Sequence, residues 1–254
     1  MKKILVVDVG GTNVKVSVDV RKEPLKIPSG PEMSAAKMVA EVKRATLGWK
    51  YDAVSIGYPG AVKNGKPVEE PKNLAPGWVR FDYRKAFGKP VKIVNDAAMQ
   101  ALGGYAGGRM LFLGLGTGLG SALVAEDVLE PLELAHLPYR KNKTFEQYVG
   151  TKGFKRLGAK KWTAHVHKVV ALLKHALQVD YVVLGGGQTK NLKKLPPGVK
   201  LGTNRNAIIG GFRLWQEPAH THRRRKPFVS HSRRAAKAPA GASPVATAQV
   251  AASS

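Results

Sequence analysis

Two apolar runs, each broken by a glycine-rich turn and resumed at once as a second strand, constrain this chain more than anything else in it. Ile4 to Val9 is almost continuously apolar, the pattern of a strand covered on both faces. Gly10-Gly11-Thr12-Asn13 breaks the run. Val14, Val16, Val18 and Val20 then alternate with Lys15, Ser17 and Asp19, the period-two pattern of a half-buried strand. The layout returns at Met110–Leu115, with Gly116-Thr117-Gly118-Leu119-Gly120 as the turn and Ser121–Val124 as the continuing strand. Two such hairpins, each opening one half of the chain, predict an internal structural duplication.

The segments between them read as alternating helices and strands. A helix is predicted near Ala35–Thr46, strands at Ala53–Gly57 and Val91–Val94, and a helix after Asn95-Asp96 through Leu102. Val166, Val169, Val170, Leu173 and Leu177 stand at helical spacing. The strand Tyr181–Leu184 ends in Gly185-Gly186-Gly187, and Ala207–Trp215 reads as a last helix despite Gly210 and Gly211. This alternation is that of an α/β protein, and 254 residues suffice for two modest domains. Residues 218–254 differ in kind: a basic stretch to Arg234, then Ala, Pro, Ser and Thr. Such a segment cannot bury a core and is expected to be a disordered tail.

Composition removes several function classes. No apolar run approaches the roughly 20 residues of a membrane span. Asp8 interrupts the apolar start and no small-residue cleavage site follows, so Ile4–Val9 is expected to be a buried strand rather than a signal peptide. The chain has no cysteine, which excludes disulfides and thiolate metal sites. A cytoplasmic location is expected. Lys and Arg number 42 against 17 Asp and Glu, a net charge of +25, and residues 218–254 hold only seven of the basic residues. The body is therefore basic in its own right and attracts polyanions, or is simply well solvated.

Four places carry side chains suited to chemistry. Asp8 with Gly10, Gly11, Thr12, Asn13 and Lys15 joins a carboxylate at a strand end to a glycine turn, a hydroxyl and a cation. Bare backbone N–H groups can cradle phosphate and the carboxylate can hold Mg²⁺ through water, although an ordinary hairpin turn uses the same residues. Gly116, Thr117 and Gly118 form a second turn. It is not a dinucleotide fingerprint, because a strand follows where that motif needs a helix. Gly60–Lys66 has P-loop spacing, but Pro67 stands where Ser or Thr is needed, so a polar turn is expected. Asn95-Asp96 can bind a sugar hydroxyl and accept its proton, or can simply cap a helix. Glu133 and His136, followed by Glu146, suit polyol recognition, with no further ligand at metal-site spacing. His165, His167 and His175 are expected to face solvent.

The order of these motifs resembles the ROK sugar kinases of the actin-like ATPase superfamily. The resemblance runs from about Lys2 to Trp215 and rests on the Asp-bearing glycine turn, Asn95-Asp96, the second glycine turn, Glu-x-x-His and Gly185–Gly187. Glu133–Lys141, Thr144–Gly150, Asn73-Leu74 and Gly77-Trp78 are similar to the polyphosphate/ATP-dependent glucokinase branch. The resemblance implies two actin-like (ribonuclease H-like) lobes around a central cleft, over 1–107 and 108–204, with 205–217 returning to the first lobe as a helix. It implies Asp96 as catalytic base, with Asn95, Glu133, His136 and Glu146 on the sugar. Asp8, Gly10, Gly11, Thr12, Gly116, Thr117 and Gly118 would meet metal and phosphate, and Gly186 and Gly187 would border the nucleotide. Ala135 replaces a glycine of the family pattern, so its methyl group is expected to tighten the sugar pocket. No zinc site is expected.

The expected activity is transfer of a phosphoryl group from ATP or polyphosphate, with Mg²⁺, to the 6-hydroxyl of glucose, by a homodimer. Alternatives are an ATP-only kinase for mannose or an N-acetylhexosamine, and a sugar-responsive regulator. The helix-turn-helix that such regulators carry has no counterpart ahead of Ile4. Arg223-Arg224-Arg225-Lys226 offers a nucleic-acid contact, but composition favours a solvated tail, so nucleic acid is not an expected partner.

Overall fold

β1 (Ile4–Val9) is buried at all six positions, as its unbroken apolar run requires. It pairs antiparallel with β2 (Asn13–Ser17), which pairs in turn with β3 (Leu25–Pro28). Helix α1 (Ala35–Ala45) begins at Ser34, whose side chain accepts from the backbone N–H of Lys37 at 3.3 Å. The chain then returns as β4 (Ala53–Tyr58), parallel to β1. A small hairpin follows, β5 (Val62–Lys63) and β6 (Lys66–Pro67). Helix α2 (Tyr83–Phe87) precedes β7 (Val91–Asn95), and α3 (Asp96–Gly104) continues directly from it. The first sheet has the order β3-β2-β1-β4-β7.

The second half repeats the plan. β8 (Arg109–Leu115), β9 (Leu119–Ala125) and β10 (Val128–Leu132) form an antiparallel meander. β11 (Pro138–Arg140) and β12 (Lys143–Thr144) pair as a hairpin, followed by α4 (Phe145–Val149) and α5 (Thr151–Ala176). β13 (Tyr181–Gly185) adds parallel to β8, a 3-10 turn spans Gly187–Asn191, and β14 (Val199–Leu201) adds parallel to β13. The order β10-β9-β8-β13-β14 matches the first sheet strand for strand, which is the duplication that the two glycine hairpins predict. α6 (Asn206–Arg213) closes the described chain.

These features belong to a computed structural model that describes residues 2–203 and 205–216. The tail expected over 218–254, with Arg223–Lys226, lies outside the described residues.

Helix α3 ties the halves together. It packs on β4 and β7 of the first sheet and on β8, β9, β10 and β13 of the second. α6 lies across α3 and also packs on β1 and β4. Gly210 and Gly211, which argue against a helix by propensity, are what make this crossing possible. A β-carbon on Gly210 would strike the carbonyl of Met99, and one on Gly211 would strike the Val6 side chain. Tertiary packing here outweighs the roughly 1 kcal/mol that glycine costs a helix.

Two local expectations change, and a third holds. The strand predicted through Val20 stops at Ser17. Ser17 Oγ donates to the carbonyl of Asp19 at 2.8 Å and accepts its N–H at 3.1 Å, while Asp19 caps the N–H of Arg21 at 2.9 Å. Side-chain bonds to backbone replace the ladder there. The helix marked by Val166–Leu177 starts much earlier, at Thr151, and turns at Gly158, whose φ of 73° is left-handed. The Gly60–Lys66 segment holds the expected polar turn: Asn64 and Gly65, at φ 51° and 71°, are the two residues that join β5 to β6.

Candidate active site

The first glycine turn is held in shape by its own backbone. The N–H of Gly10 donates to the carbonyl of Asn13 at 3.1 Å, and a β-carbon on Gly10 would stand 2.9 Å from that oxygen. Ser29 braces the turn from β3's end: its Oγ donates to the Gly10 carbonyl at 2.6 Å and its N–H to the Thr12 carbonyl at 2.9 Å. Gly11 and Thr12 are exposed. Asp8, at the end of β1, is 6% exposed and pairs across the ladder with Lys15. Lys15 Nζ donates to Asp8 Oδ2 at 3.2 Å.

Asp96 stands beside this turn. β4 separates β1 from β7, and Gly57 is its residue opposite both Asp8 and Val94. A β-carbon on Gly57 would lie 3.4 Å from Asp8 Oδ1 and would strike the end of Met99, so the bare position admits the Met99 side chain beside the carboxylate. Asp96 opens α3 and is half-buried. Burial pushes its carboxyl up to about 7, and the negative charge of Asp8 adds to the rise. The N–H of Ala97, donating at 2.8 Å, and the charge of Lys15 oppose it. Asn95 is the cap: its Oδ1 accepts from Ala97 at 2.9 Å and Ala98 at 3.2 Å, and its Nδ2 donates to the Gly60 carbonyl at 3.1 Å. The capping alternative for Asn95 is thus realised, and it aims Asp96.

The second turn is wired to a different neighbour. The Gly116 N–H donates to the Gly118 carbonyl at 3.1 Å. The Gly116 carbonyl accepts both the N–H of Thr151, at 3.0 Å, and its Oγ1, at 2.8 Å. Gln188 Nε2 donates to the same Thr151 Oγ1 at 2.9 Å, which links the turn to the Gly187–Asn191 loop. Gly186, at φ 85°, lies so close to Leu115 that a β-carbon would strike that residue's backbone. Thr117, Gly186 and Gly187 are exposed, and nothing lies within 4 Å of a β-carbon built on Gly116 or Gly187.

Glu133 and His136 meet side chain to side chain at the surface, Nδ1 to Oε1 at 3.1 Å. Their loop is fastened to α4 by the N–H of Glu146 on the Ala135 carbonyl, 3.1 Å, and to β9 by the N–H of Leu134 on Ser121 Oγ, 3.2 Å. The Glu146 carboxylate lies against Gly118, where any β-carbon would collide with it. Ala135 is 2% exposed and its methyl group belongs to the core around Phe145 and Tyr148. It does not tighten a pocket, contrary to the sequence expectation.

Two groups therefore assemble: Asp8, Lys15 and Asp96 with the first turn, and Glu146 with the second turn and the Glu133–His136 loop. The seam between them is α3 on β9, where a β-carbon on Gly120 would lie 2.8 Å from that of Ala97. Two surface hollows, one beside Lys92 and Trp215 and one beside Lys174 and Pro196, lie apart from all these residues. Among the described residues no cluster of three or more His, Cys, Asp or Glu could hold a metal ion. A cation bound by protein alone does not fit. One that arrives on phosphate oxygens and takes a single carboxylate does, because Asp8 and Asp96 already repel one another.

The comparisons with known proteins agree with this fold. The chain is 28% identical over 227 residues to a polyphosphate glucokinase of Mycobacterium tuberculosis, covering 80% of this chain and 83% of that one. It is similar in structure to an inorganic polyphosphate/ATP-glucomannokinase from an Arthrobacter strain, at 22% identity and a TM-score of 0.68, over 83% of this chain and 97% of that one. A ROK family glucokinase from Streptomyces griseus in complex with glucose and AMPPNP matches at 17% identity and a TM-score of 0.64, over 83% and 98%. No protein-family model matches the chain. The chain is similar in sequence to polyphosphate glucokinases and in fold to the ROK sugar kinases. Its mixed α/β fold is theirs, and no helix among the described residues is long and apolar enough to cross a membrane.

The bracing residues Ser29, Thr151 and Gln188 escape sequence reasoning. Each acts through hydrogen bonds to segments 19 to 37 residues away, a separation with no periodic signature. The histidines divide. His175 is exposed, as expected. His165 Nδ1 instead meets Tyr139 Oη at 3.0 Å inside a cluster with Tyr148, and His167 Nε2 meets the Lys194 carbonyl at 3.0 Å.

Proposed function

We propose that the protein is a hexose kinase that moves the terminal phosphoryl group of ATP or inorganic polyphosphate to the 6-hydroxyl of glucose, with Asp96 as the base. The observation that carries this reading is Asp96 itself: a carboxyl aimed by a helix cap, raised to about 7, beside a bare-backbone turn. A group of that pKa is part ionised at neutral pH and accepts a proton efficiently there.

The sugar oxygen forms its bond to phosphorus as the bond to the leaving phosphate oxygen breaks. Its proton passes to the Asp96 carboxylate. N–H groups of the two turns other than those of Gly10 and Gly116, which bond within their own turns, would receive the phosphate oxygens together with the Thr12 and Thr117 hydroxyls. Because both turns are held rigid by hydrogen bonds, their donors need no reorganisation during the reaction. Lys15 balances the charge of Asp8. Mg²⁺ carried on the donor would be held by Asp8, through water, and supplies neutralisation of phosphate charge.

Glu133, His136, Glu146 and the amide of Asn95 would bind sugar hydroxyls, and Gly186 and Gly187 would let a nucleotide lie on bare backbone. The two sheets would serve as lobes over 1–107 and 108–204, with 205–217 returning to the first, and their closure would exclude water. A cytoplasmic homodimer is the expected form; light scattering on the purified protein tests the dimer.

The deciding experiment is Asp96→Asn in a glucose phosphorylation assay. Loss of about 10²–10⁴-fold in kcat with an unchanged circular dichroism spectrum is expected. Near-normal turnover would remove the base assignment. Repeating the assay with mannose and N-acetylhexosamines fixes the sugar.

A further inference from the structure

The net positive charge is not spread evenly along the chain. Residues 1–150 hold 22 Lys and Arg against 15 Asp and Glu, whereas residues 151–216 hold 13 against a single acid, Asp180. That second segment begins at the residue clamped to the second glycine turn: Thr151 bonds the Gly116 carbonyl twice. It contains α5, with seven Lys and Arg and no acid, and the 187–194 loop with three lysines. The loop is held to α5 at both ends, by Gln188 on Thr151 at 2.9 Å and by His167 on the Lys194 carbonyl at 3.0 Å.

A solvated helix face normally interleaves both signs at i,i+4, because like charges there are destabilising. α5 instead sets Lys152 four residues from Arg156 and places Lys160 beside Lys161. Arg156 is engaged, donating to the Gln147 carbonyl at 2.8 Å and lying over the Tyr148 ring. Lys152, Lys155, Lys160, Lys161, Lys190 and Lys193 are exposed, and among the described residues no ion pair engages them. A one-signed segment therefore starts at Thr151, the residue bonded to the second glycine turn.

We propose that α5 and the 187–194 loop form a tract for the distal phosphates of a long inorganic polyphosphate donor whose end lies at the Gly116–Gly118 turn. This rests on the kinase reading above. The tract holds the donor chain by its repeated charge, whereas ATP, with three phosphates, ends at the turns and does not reach it.

The test compares the full-length protein with Lys155→Gln/Lys160→Gln/Lys161→Gln and with Lys190→Gln/Lys193→Gln. Each is assayed for glucose phosphorylation with ATP, tripolyphosphate and polyphosphate of about 100 units, and for direct binding of the long polymer by fluorescence anisotropy over a salt series. The expected result is at least a tenfold rise in KM for the long polymer, little change with ATP or tripolyphosphate, and a log–log salt slope for binding shallower by about two. Unchanged binding and KM for the long polymer in both variants would overturn the tract. So would a wild-type protein that uses ATP but neither uses nor binds polyphosphate. Tighter binding of a single-stranded oligonucleotide of equal charge would assign the segment to nucleic acid instead. Polymer binding by a protein inactive with every donor would defeat the kinase reading and, with it, the donor role of the tract.

Discussion

Asp8 ends the strand on one side of β4 and Asp96 opens the helix that follows the strand on the other, and the charge of Asp8 adds to the burial that raises the Asp96 carboxyl to about 7. Gly57 of β4 stands opposite Asp8 and Val94 and carries no side chain of its own; the Met99 side chain fills the space above it. The chain places two carboxylates where ionising both is costly, and the protein keeps a proton on one of them near neutral pH.

The first prediction follows from that proton. Asp96 has a raised pKa when folded, so its contribution to stability is full below pH about 4 and fades as pH rises through about 7. Denaturant titrations of the wild type and of Asp96→Asn should therefore diverge with pH, the wild type losing ground to the variant between these limits. Activity should show an acid limb near pH 7. Asp8→Asn should lower the Asp96 pKa, read by carbon NMR of the carboxyl; an unmoved titration would mean that the two do not interact.

Two glycine substitutions should separate folding from donor binding. Gly210→Ala forces a methyl group against the Met99 backbone at the α3–α6 crossing. It should cost about 1–3 kcal/mol, a fall in Tm of about 2–4 °C for each kcal/mol. Gly116→Ala meets nothing within 4 Å, so Tm should hold while KM for the donor rises about tenfold, because the methyl group enters the cradle. Equal effects on Tm would refute the distinction.

Glu146→Gln keeps the shape of the side chain against Gly118 and the backbone bond to Ala135. A sugar-binding carboxylate replaced by its amide should raise KM for glucose about tenfold or more, roughly the 1.5–3 kcal/mol of a hydrogen bond to a charged group. KM for ATP should change far less. The reverse pattern would move Glu146 from the sugar to the donor.

His165 is held below the usual histidine range, first by burial and then by the positive charges of Arg140, Lys168 and Arg156. A lowered histidine pKa gives stability that is present above about 6.5 and lost as pH falls below it. Proton NMR should find His165 titrating below the ordinary histidine value of about 6.5. Tyr139→Phe removes the hydroxyl that meets His165 Nδ1 and should loosen the 133–140 loop, seen as faster amide exchange there. Unchanged exchange would mean that the bond does not hold the loop.

The sequence by itself determined the strands, the two turns and the helix opened by Asn95-Asp96. Each is local: apolar runs, period two and glycine punctuation are written in adjacent residues. It also marked the duplication, because both hairpins repeat within the chain. The last helix was legible as well, over Ala207–Trp215, but only the tertiary structure shows why it carries Gly210 and Gly211, because the backbone and side chain they admit belong to Met99 and Val6, more than 100 residues earlier. The same holds for the Ala135 methyl group, which the core takes up, and for His165, which Tyr139 draws inward. The strand that stops at Ser17 shows the converse: a local side-chain bond ended a pattern that alternation alone would extend. Periodicity reports which face of an element is apolar. Which distant backbone lies against it, and which carboxylate feels another's charge, depends on contacts that exist only once the chain has folded.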